Sequence, residues 1–143
     1  MEESPACKEL TELLSQPTLF DLMAAFIIRC TDEMMHAQID IVSMMTFFHK
    51  KWQEHPQSDV PPSVRVLIED IHFGGSGLQW SDVLERVWMA LLISGLVYWI
   101  GNTRYLWVNP EIADHCMKRS GLDQHAQVYI CTLATEYVAT SNR

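Results

Sequence analysis

Apolar residues in the first third of the chain recur at the three- and four-residue spacing of helices. Ser4 followed by Pro5 predicts the start of a first helix that extends to about Ser15, because a capping hydroxyl precedes proline at the first helical position. Thr18 lies three residues before Asp21, which is the spacing of a capping box. A second helix is therefore predicted to begin there.

The second predicted helix carries an unusually continuous apolar surface. Residues 19–28 are apolar nearly all round, which is typical of a central buried helix or of a subunit interface. A break is predicted near residues 29–32, where Thr31 and the acidic residues after it offer a new helix cap. One long helix across this segment is the alternative. The next helix is predicted to run to about Trp52, with a buried side formed by Ile39, Val42, Met45 and Phe48.

Residues 55–62 are rich in proline and polar side chains and predict a loop. Ser63 is predicted to cap the following helix, whose apolar side is formed by Val64, Leu67, Ile68 and Ile71. The glycine-rich segment 73–77 ends that helix. Ser81 predicts the cap of another helix, with a buried face formed by Val83, Leu84, Val87, Trp88, Leu91 and Leu92. Gly95 follows at the position where helices often end in a left-handed residue.

The clearest β-signal is a pair of aromatic and β-branched segments, 97–100 and 104–108, separated by Gly101-Asn102-Thr103. This pattern predicts a hairpin. If its turn is tight, Tyr98, Tyr105 and Trp107 lie on one face, and the other face is formed by Val97, Leu106 and Val108 together with Trp99 and Arg104. One face is expected to pack on the helices.

The C-terminal segment returns to helical patterning. Asn109-Pro110 predicts the start of a helix that runs to about Arg119 and ends at Gly121. A helix is favoured over residues 123–140 because of the stripe Ala126, Ile130, Leu133 and Tyr137, although residues 127–132 also alternate as a strand does. The sequence thus predicts a mainly α fold with one β-hairpin in a single domain, 1–143. Within it, residues 1–55 hold the N-terminal helices and an expected dimerisation element, and 122–143 the C-terminal helix.

The pattern of residues 63–119 predicts, in order, a helix, a glycine-rich turn, a helix, a hairpin and a helix. The step Ser94-Gly95-Leu96-Val97, from a helix directly into a hairpin, resembles the third helix and wing of the winged-helix (winged helix-turn-helix) superfamily. The segment 105–113 resembles the end of the wing in some plasmid and phage replication proteins. The resemblance implies that residues 81–94 form a recognition helix and residues 97–108 the wing.

In a DNA-binding winged helix, the recognition helix enters the major groove. Here the first turns of that helix carry Asp82 and Glu85. The hypothesis that the protein binds DNA depends on Arg86, Arg104, Lys118 and Arg119 as contacts. Winged helices also dock proteins, a use that acidic residues and large aromatic side chains fit better. The expected partner-binding residues are Asp82, Glu85, Arg86, Tyr98, Trp99, Arg104, Tyr105 and Trp107.

The net charge and the spacing of the cysteines limit the classes of protein to which this chain is expected to belong. The 143 residues include 18 acidic and 10 basic side chains, for a formal net charge of −8, which disfavours non-specific binding to nucleic acid. The four cysteines are far apart and form no CxxC pair, and the chain begins without a signal-peptide pattern. No apolar run approaches the ~20 residues that span a bilayer. These features predict a cytoplasmic protein with reduced, mostly buried thiols.

Few residues suggest catalysis. Glu33–His36 and Glu69–His72 have the Glu-x-x-His spacing of di-iron bundles, for which Glu12 and Glu136 are the available further ligands. His115, Cys116 and His125 lack the usual zinc spacing, and no phosphate-binding or nucleophile motif is present. We therefore expect no cofactor and no metal.

The leading hypothesis is a non-enzymatic module that docks a protein partner and forms a homodimer. A regulator of transcription or replication that binds double-stranded DNA is the alternative, and a metal-dependent helical enzyme is third.

Overall fold

The computed structural model describes residues 17–33, 39, 41–54, 60–74, 80–99 and 106–141. The predicted mainly α fold with one two-stranded hairpin is confirmed. In chain order the elements are α1 (Leu19–Glu33), α2 (Ile41–His49) with a π-helical turn (Lys50–Glu54), α3 (Pro62–Ile68), α4 (Asp82–Ser94), β1 (Val97–Trp99), β2 (Leu106–Val108), α5 (Pro110–Arg119) and α6 (Gln124–Ser141). The helix predicted at 4–15 lies outside the described residues.

Helix α1 is the centre of the fold. Residues 22–28 are all buried, and the helix contacts α3, α4, α5, α6 and β2. Its predicted capping box is present: the Thr18 amide donates to Asp21 Oδ2 at 2.8 Å, and the Asp21 amide donates to Thr18 Oγ1 at 3.4 Å. Of the two interpretations of this apolar segment, a helix buried within its own chain is the one observed.

The predicted break near residues 29–32 is wrong, because α1 continues to Glu33. The Thr31 hydroxyl donates to the Ile28 carbonyl at 2.8 Å, so it bonds backwards within the helix instead of capping a new one. One long helix is also wrong, since Ile39 lies outside both helices. In α2 the buried residues are Met44, Met45 and Phe48, whereas Val42, predicted on the buried side, is exposed.

The turn after α2 has π-helical geometry, which the sequence pattern did not indicate. Trp52 is buried, and its indole stacks on Phe48 with ring centroids 4.2 Å apart and planes 12° apart. Its Nε1 donates to the Tyr129 hydroxyl of α6 at 3.0 Å. Trp52 thereby attaches the π-helical turn to the C-terminal helix.

Helix α3 begins two residues earlier than predicted. Pro61 occupies the N-cap position and Pro62 the first helical position, so the prediction that Ser63 caps the helix is wrong. Val64 and Ile68 are buried as predicted, and Ile71 is buried beyond the end of the helix.

The predicted boundaries of α4 are confirmed. Ser81 Oγ accepts a hydrogen bond from the Leu84 amide at 3.3 Å, and Gly95 follows the helix in the left-handed region with φ 82°. A side chain at Gly95 is disfavoured by this φ, and its Cβ would also lie 3.3 Å from Ile112 Cδ1. Gly95 therefore fixes the sharp transition from α4 into the hairpin.

The strands pair antiparallel, with Val97 opposite Val108, Tyr98 opposite Trp107, and Trp99 opposite Leu106. Asn109 then caps α5, since its Oδ1 accepts from the amides of Glu111 and Ile112. Gly121 follows α5 with φ 64°. The last segment is a helix rather than a strand, and its predicted stripe is buried: Ala126, Ile130, Leu133 and Tyr137.

Asp123 caps α6 and makes the stability of this helix dependent on pH. The Ala126 amide donates to Asp123 Oδ1 at 2.8 Å, and this hydrogen bond lowers the pKa of the Asp123 carboxyl. A lowered folded-state pKa gives stability that is present above the unfolded-state pKa and is lost as the pH falls through the folded-state value. We expect Asp123→Asn, which keeps an acceptor oxygen without the charge, to be less stable than the wild type at about pH 7 and equally stable at about pH 2. Urea midpoints at the two pH values test this, and an unchanged difference would contradict it.

Candidate interaction surface

Helix α4 has one buried face and one exposed face. Leu84, Trp88 and Leu91 are buried in the core. The exposed side includes residues 82, 86, 89 and 93, whose spacing of four, three and four places them along one helix face. This face is the one that the winged-helix resemblance assigns to a partner.

The N-terminal part of the exposed face is polar. Asp82, Glu85 and Arg86 are all exposed, as their predicted role in partner binding requires. Trp80 Nε1 donates to Glu85 Oε2 at 3.1 Å, which orients this carboxylate next to a half-buried indole. The two carboxylates of the first turns give this end of the helix a negative charge.

The C-terminal part of the same face is apolar. Met89 is 49% exposed and Ile93 is 83% exposed, although helix faces in water are usually polar. Neither residue is among the partner-binding residues predicted from the sequence. A signal was present, since both interrupt the polar side of an otherwise amphipathic helix at a spacing of four residues.

One face of the hairpin packs on the core, as predicted, and the other face carries an exposed residue, Tyr98. Val97 is buried and its cross-strand partner Val108 is half-buried, so their face packs on the helices. Tyr98, which is 42% exposed, lies opposite the half-buried Trp107 on the other face. Strand β1 follows α4 after two residues and contacts it. We call Asp82, Glu85, Arg86, Met89, Ile93, Tyr98 and Trp107 the α4–hairpin surface; Trp107 is half-buried and the other six are exposed.

Three of the predicted partner-binding side chains are not placed. Trp99 belongs to β1 by its backbone, but its side chain lies outside the described part of the structure, as do Arg104 and Tyr105. The other five lie on α4 or on the outward face of the hairpin.

Of the three described cations named for DNA contacts, one is paired with a carboxylate, one lies beside a histidine and one shares its helix with two acidic residues. Lys118 pairs with Asp114 at 2.9 Å, and Arg119 Nη1 lies 3.4 Å from His115 Nε2. Arg86 shares its helix with Asp82 and Glu85. Because phosphate binding depends on uncompensated positive charge, this distribution does not favour a nucleic-acid surface.

The described residues among those that suggested a metal site are not assembled into one. In the described ranges there is no group of three or more His, Cys, Asp or Glu side chains that could hold a metal ion. Helix α3 ends at Ile68, so the prediction that Glu69 and His72 share a helix face is wrong. Glu136 pairs with Lys51. Glu12, His36 and the side chain of Glu33 lie outside the described residues.

None of Cys30, Cys116 and Cys131 forms a disulfide with another described residue. Burial raises the pKa of the Cys116 thiol, and the Asp21 carboxylate raises it further. A nucleophilic cysteine needs a lowered pKa, so Cys116 lacks the electrostatic environment of a nucleophile. Cys30 is buried, Cys116 is half-buried and Cys131 is exposed, so the expectation of mostly buried thiols is wrong.

None of the helices in the described ranges has the length and apolar character that crossing a bilayer requires. Comparison with known proteins gives no relative: no family model, no curated protein and no solved structure matches this chain.

Proposed function

We propose that this domain is a non-enzymatic, winged-helix-type regulatory or assembly module of the cytoplasm that docks a protein partner through the α4–hairpin surface. The observation that carries the proposal is the exposure of Ile93, at 83%, on the helix that the winged-helix resemblance assigns to recognition. The absence of disulfides among the described cysteines agrees with the proposed location.

A single exposed apolar residue is common on protein surfaces and needs no explanation. Here Met89 and Ile93 lie one helical turn apart, and Tyr98 follows on the hairpin that contacts the same helix. Methionine and aromatic side chains are enriched in protein interfaces, where a polar rim surrounds an apolar centre. Asp82 and Glu85 supply such a rim at one end.

The charge of this surface defines the partner. The chain carries a net charge of −8, and the exposed charges on α4 are Asp82, Glu85 and Arg86. A partner with an apolar recess bordered by basic side chains complements this arrangement, whereas DNA phosphates are repelled by it. We therefore favour a basic protein surface over double-stranded DNA.

The expected homodimer stays a prediction. The first argument for a dimer was the apolar surface of α1. It does not hold, because the apolar residues of α1 are covered within the chain. A second copy would also bring like charges together at the α4–hairpin surface. Sedimentation over a range of protein concentrations distinguishes a second copy from a different partner.

The proposal is tested by capture of partners from the native host with wild-type and variant baits. Burying isoleucine contributes about 1.5–3 kcal/mol, so Ile93→Ser should weaken capture roughly tenfold to a hundredfold. Val66→Ser is the matched control, because Val66 is 63% exposed on α3. Both variants should keep the wild-type melting temperature.

Nuclease treatment of the lysate separates the two partner classes. Capture that survives nuclease and depends on Ile93 but not on Val66 supports protein docking. Capture that disappears with nuclease and falls steeply with salt would support the DNA-binding alternative instead. Equal capture by wild type and Ile93→Ser would contradict the proposal.

A further inference from the structure

A cavity of about 760 Å³ lies between α2, the π-helical turn and the C-terminal part of α6. Residues that line it include Ser43, Phe47, Lys50, Lys51, Glu136 and Tyr137. Small-molecule sites in proteins typically measure ~300–1,000 Å³ and are mostly apolar with a few polar groups. The cavity has both the size and the composition of such a site, and it uses none of the residues of the α4–hairpin surface.

The inner wall of the cavity is aromatic and firmly held. The rings of Phe47 and Tyr137 meet edge to face with centroids 5.3 Å apart, and both pack against Phe26 in α1. The Ser43 and Tyr137 hydroxyls hydrogen-bond at 2.6 Å and join α2 to α6. Tyr137 is buried and these contacts fix the half-buried Phe47, so the ring of Phe47 offers a preformed apolar surface to a flat ligand.

The rim of the cavity carries an excess of positive charge. Lys51 forms an ion pair with Glu136, so these two charges compensate each other. Lys50 is exposed and forms no ion pair with any residue in the described ranges. The rim therefore has one uncompensated cation, in a chain whose net charge is −8.

The position of Lys50 depends on the π-helical turn in which it lies. Single π-helical turns are uncommon and occur frequently at functional sites. Trp52, buried and hydrogen-bonded to Tyr129, holds this turn against α6. Lys50 and Lys51 consequently both line the cavity.

We propose that this cavity binds a small aromatic monoanion, a carboxylate or sulfonate, with its ring against Phe47 and its anionic group at Lys50. The Thr46 and Thr140 hydroxyls donate to the carbonyls of Val42 and Glu136, at 3.0 and 2.9 Å. Because both hydroxyl protons are used in these hydrogen bonds, the two threonines do not donate to an anion, and Lys50 supplies its recognition.

The test uses two fluorescent probes with the same ring system, 8-anilinonaphthalene-1-sulfonate and the uncharged N-phenyl-1-naphthylamine, titrated into the full chain. We expect the sulfonate to bind at one site per chain and Lys50→Met to weaken it about fivefold, the upper range for a solvent-accessible ion pair. The uncharged probe should bind more weakly and be unaffected by Lys50→Met. Lys118→Met is the matched control, since Lys118 is also an exposed helical lysine.

A second variant tests the location of the probe. Thr46→Trp places a large side chain at the cavity and should abolish the binding of both probes. The proposal is overturned if the sulfonate binds Lys50→Met as tightly as wild type, if Lys118→Met weakens it equally, or if a folded Thr46→Trp still binds it. Because Lys50 is exposed, we expect Lys50→Met to fold. Its affinity for the sulfonate therefore tests the proposal even if Thr46→Trp does not fold.

Discussion

Phe26→Ala is expected to lower the free energy of unfolding by about 3–5 kcal/mol, the usual cost of removing a buried phenylalanine side chain. Phe26 is almost fully buried in the central helix α1. Its ring packs against Phe48 with centroids 4.9 Å apart and against Tyr137 at 5.6 Å. The substitution therefore removes aromatic contacts to both α2 and α6 and leaves a cavity between them.

Because domains of this size are stabilised by only about 5–15 kcal/mol, the loss removes a large share of the total. Urea titration followed by circular dichroism measures it. Phe20→Ala is the control, since Phe20 is half-buried at the start of the same helix, and its cost should be clearly smaller. Equal costs for the two variants would mean that α1 is not the centre of the core.

The elements that the sequence predicted well are those whose signals are local. Thr18 with Asp21, Ser81, Asn109 and Gly95 each act on backbone groups within four residues. Such signals operate whatever the rest of the chain does. The side chains that share a face of the hairpin were predictable for the same reason, because alternation along a strand decides the face and does not depend on the exact pairing.

The errors occurred where a polar residue had two possible hydrogen-bond partners. Thr31 was expected to cap a helix, but its hydroxyl bonds to the Ile28 carbonyl within α1. The helix continues there because residues 22–28 and Cys30 are buried against several other elements. Tertiary burial of one helix face thus outweighed a capping preference worth ~1 kcal/mol.

The candidate sites also combine features that local sequence patterns predict with features that they do not. The exposure of Asp82, Glu85 and Arg86 was predictable from the helical period, whereas Met89 and Ile93 were missed because exposed helix positions were expected to be polar. The cavity was beyond sequence reasoning, since it joins Ser43 to Tyr137, which lie 94 residues apart. Its lysine depends on a π-helical turn for which the apolar spacing gave no signal.

The second prediction compares two neighbours on opposite faces of α4. Leu91→Ala is expected to lower the free energy of unfolding by about 2–5 kcal/mol, because Leu91 is fully buried, on a helix that contacts α1 and α2. Ile93→Ala is expected to change it by no more than about 0.5 kcal/mol, because Ile93 is 83% exposed and loses few contacts. Both substitutions introduce alanine into the last turns of the same helix, so differences in helix propensity are small.

Protein docking depends on which residues of α4 face solvent. This pair of variants tests that orientation of the helix. If Ile93→Ala proves as destabilising as Leu91→Ala, Ile93 belongs to the core, and its loss in a capture experiment would reflect unfolding rather than a lost contact. If only Leu91→Ala destabilises the fold, an isoleucine that contributes nothing to folding lies on the exposed face of α4. Any effect of Ile93 on capture then comes from the bound state, where burial of its side chain is worth about 1.5–3 kcal/mol.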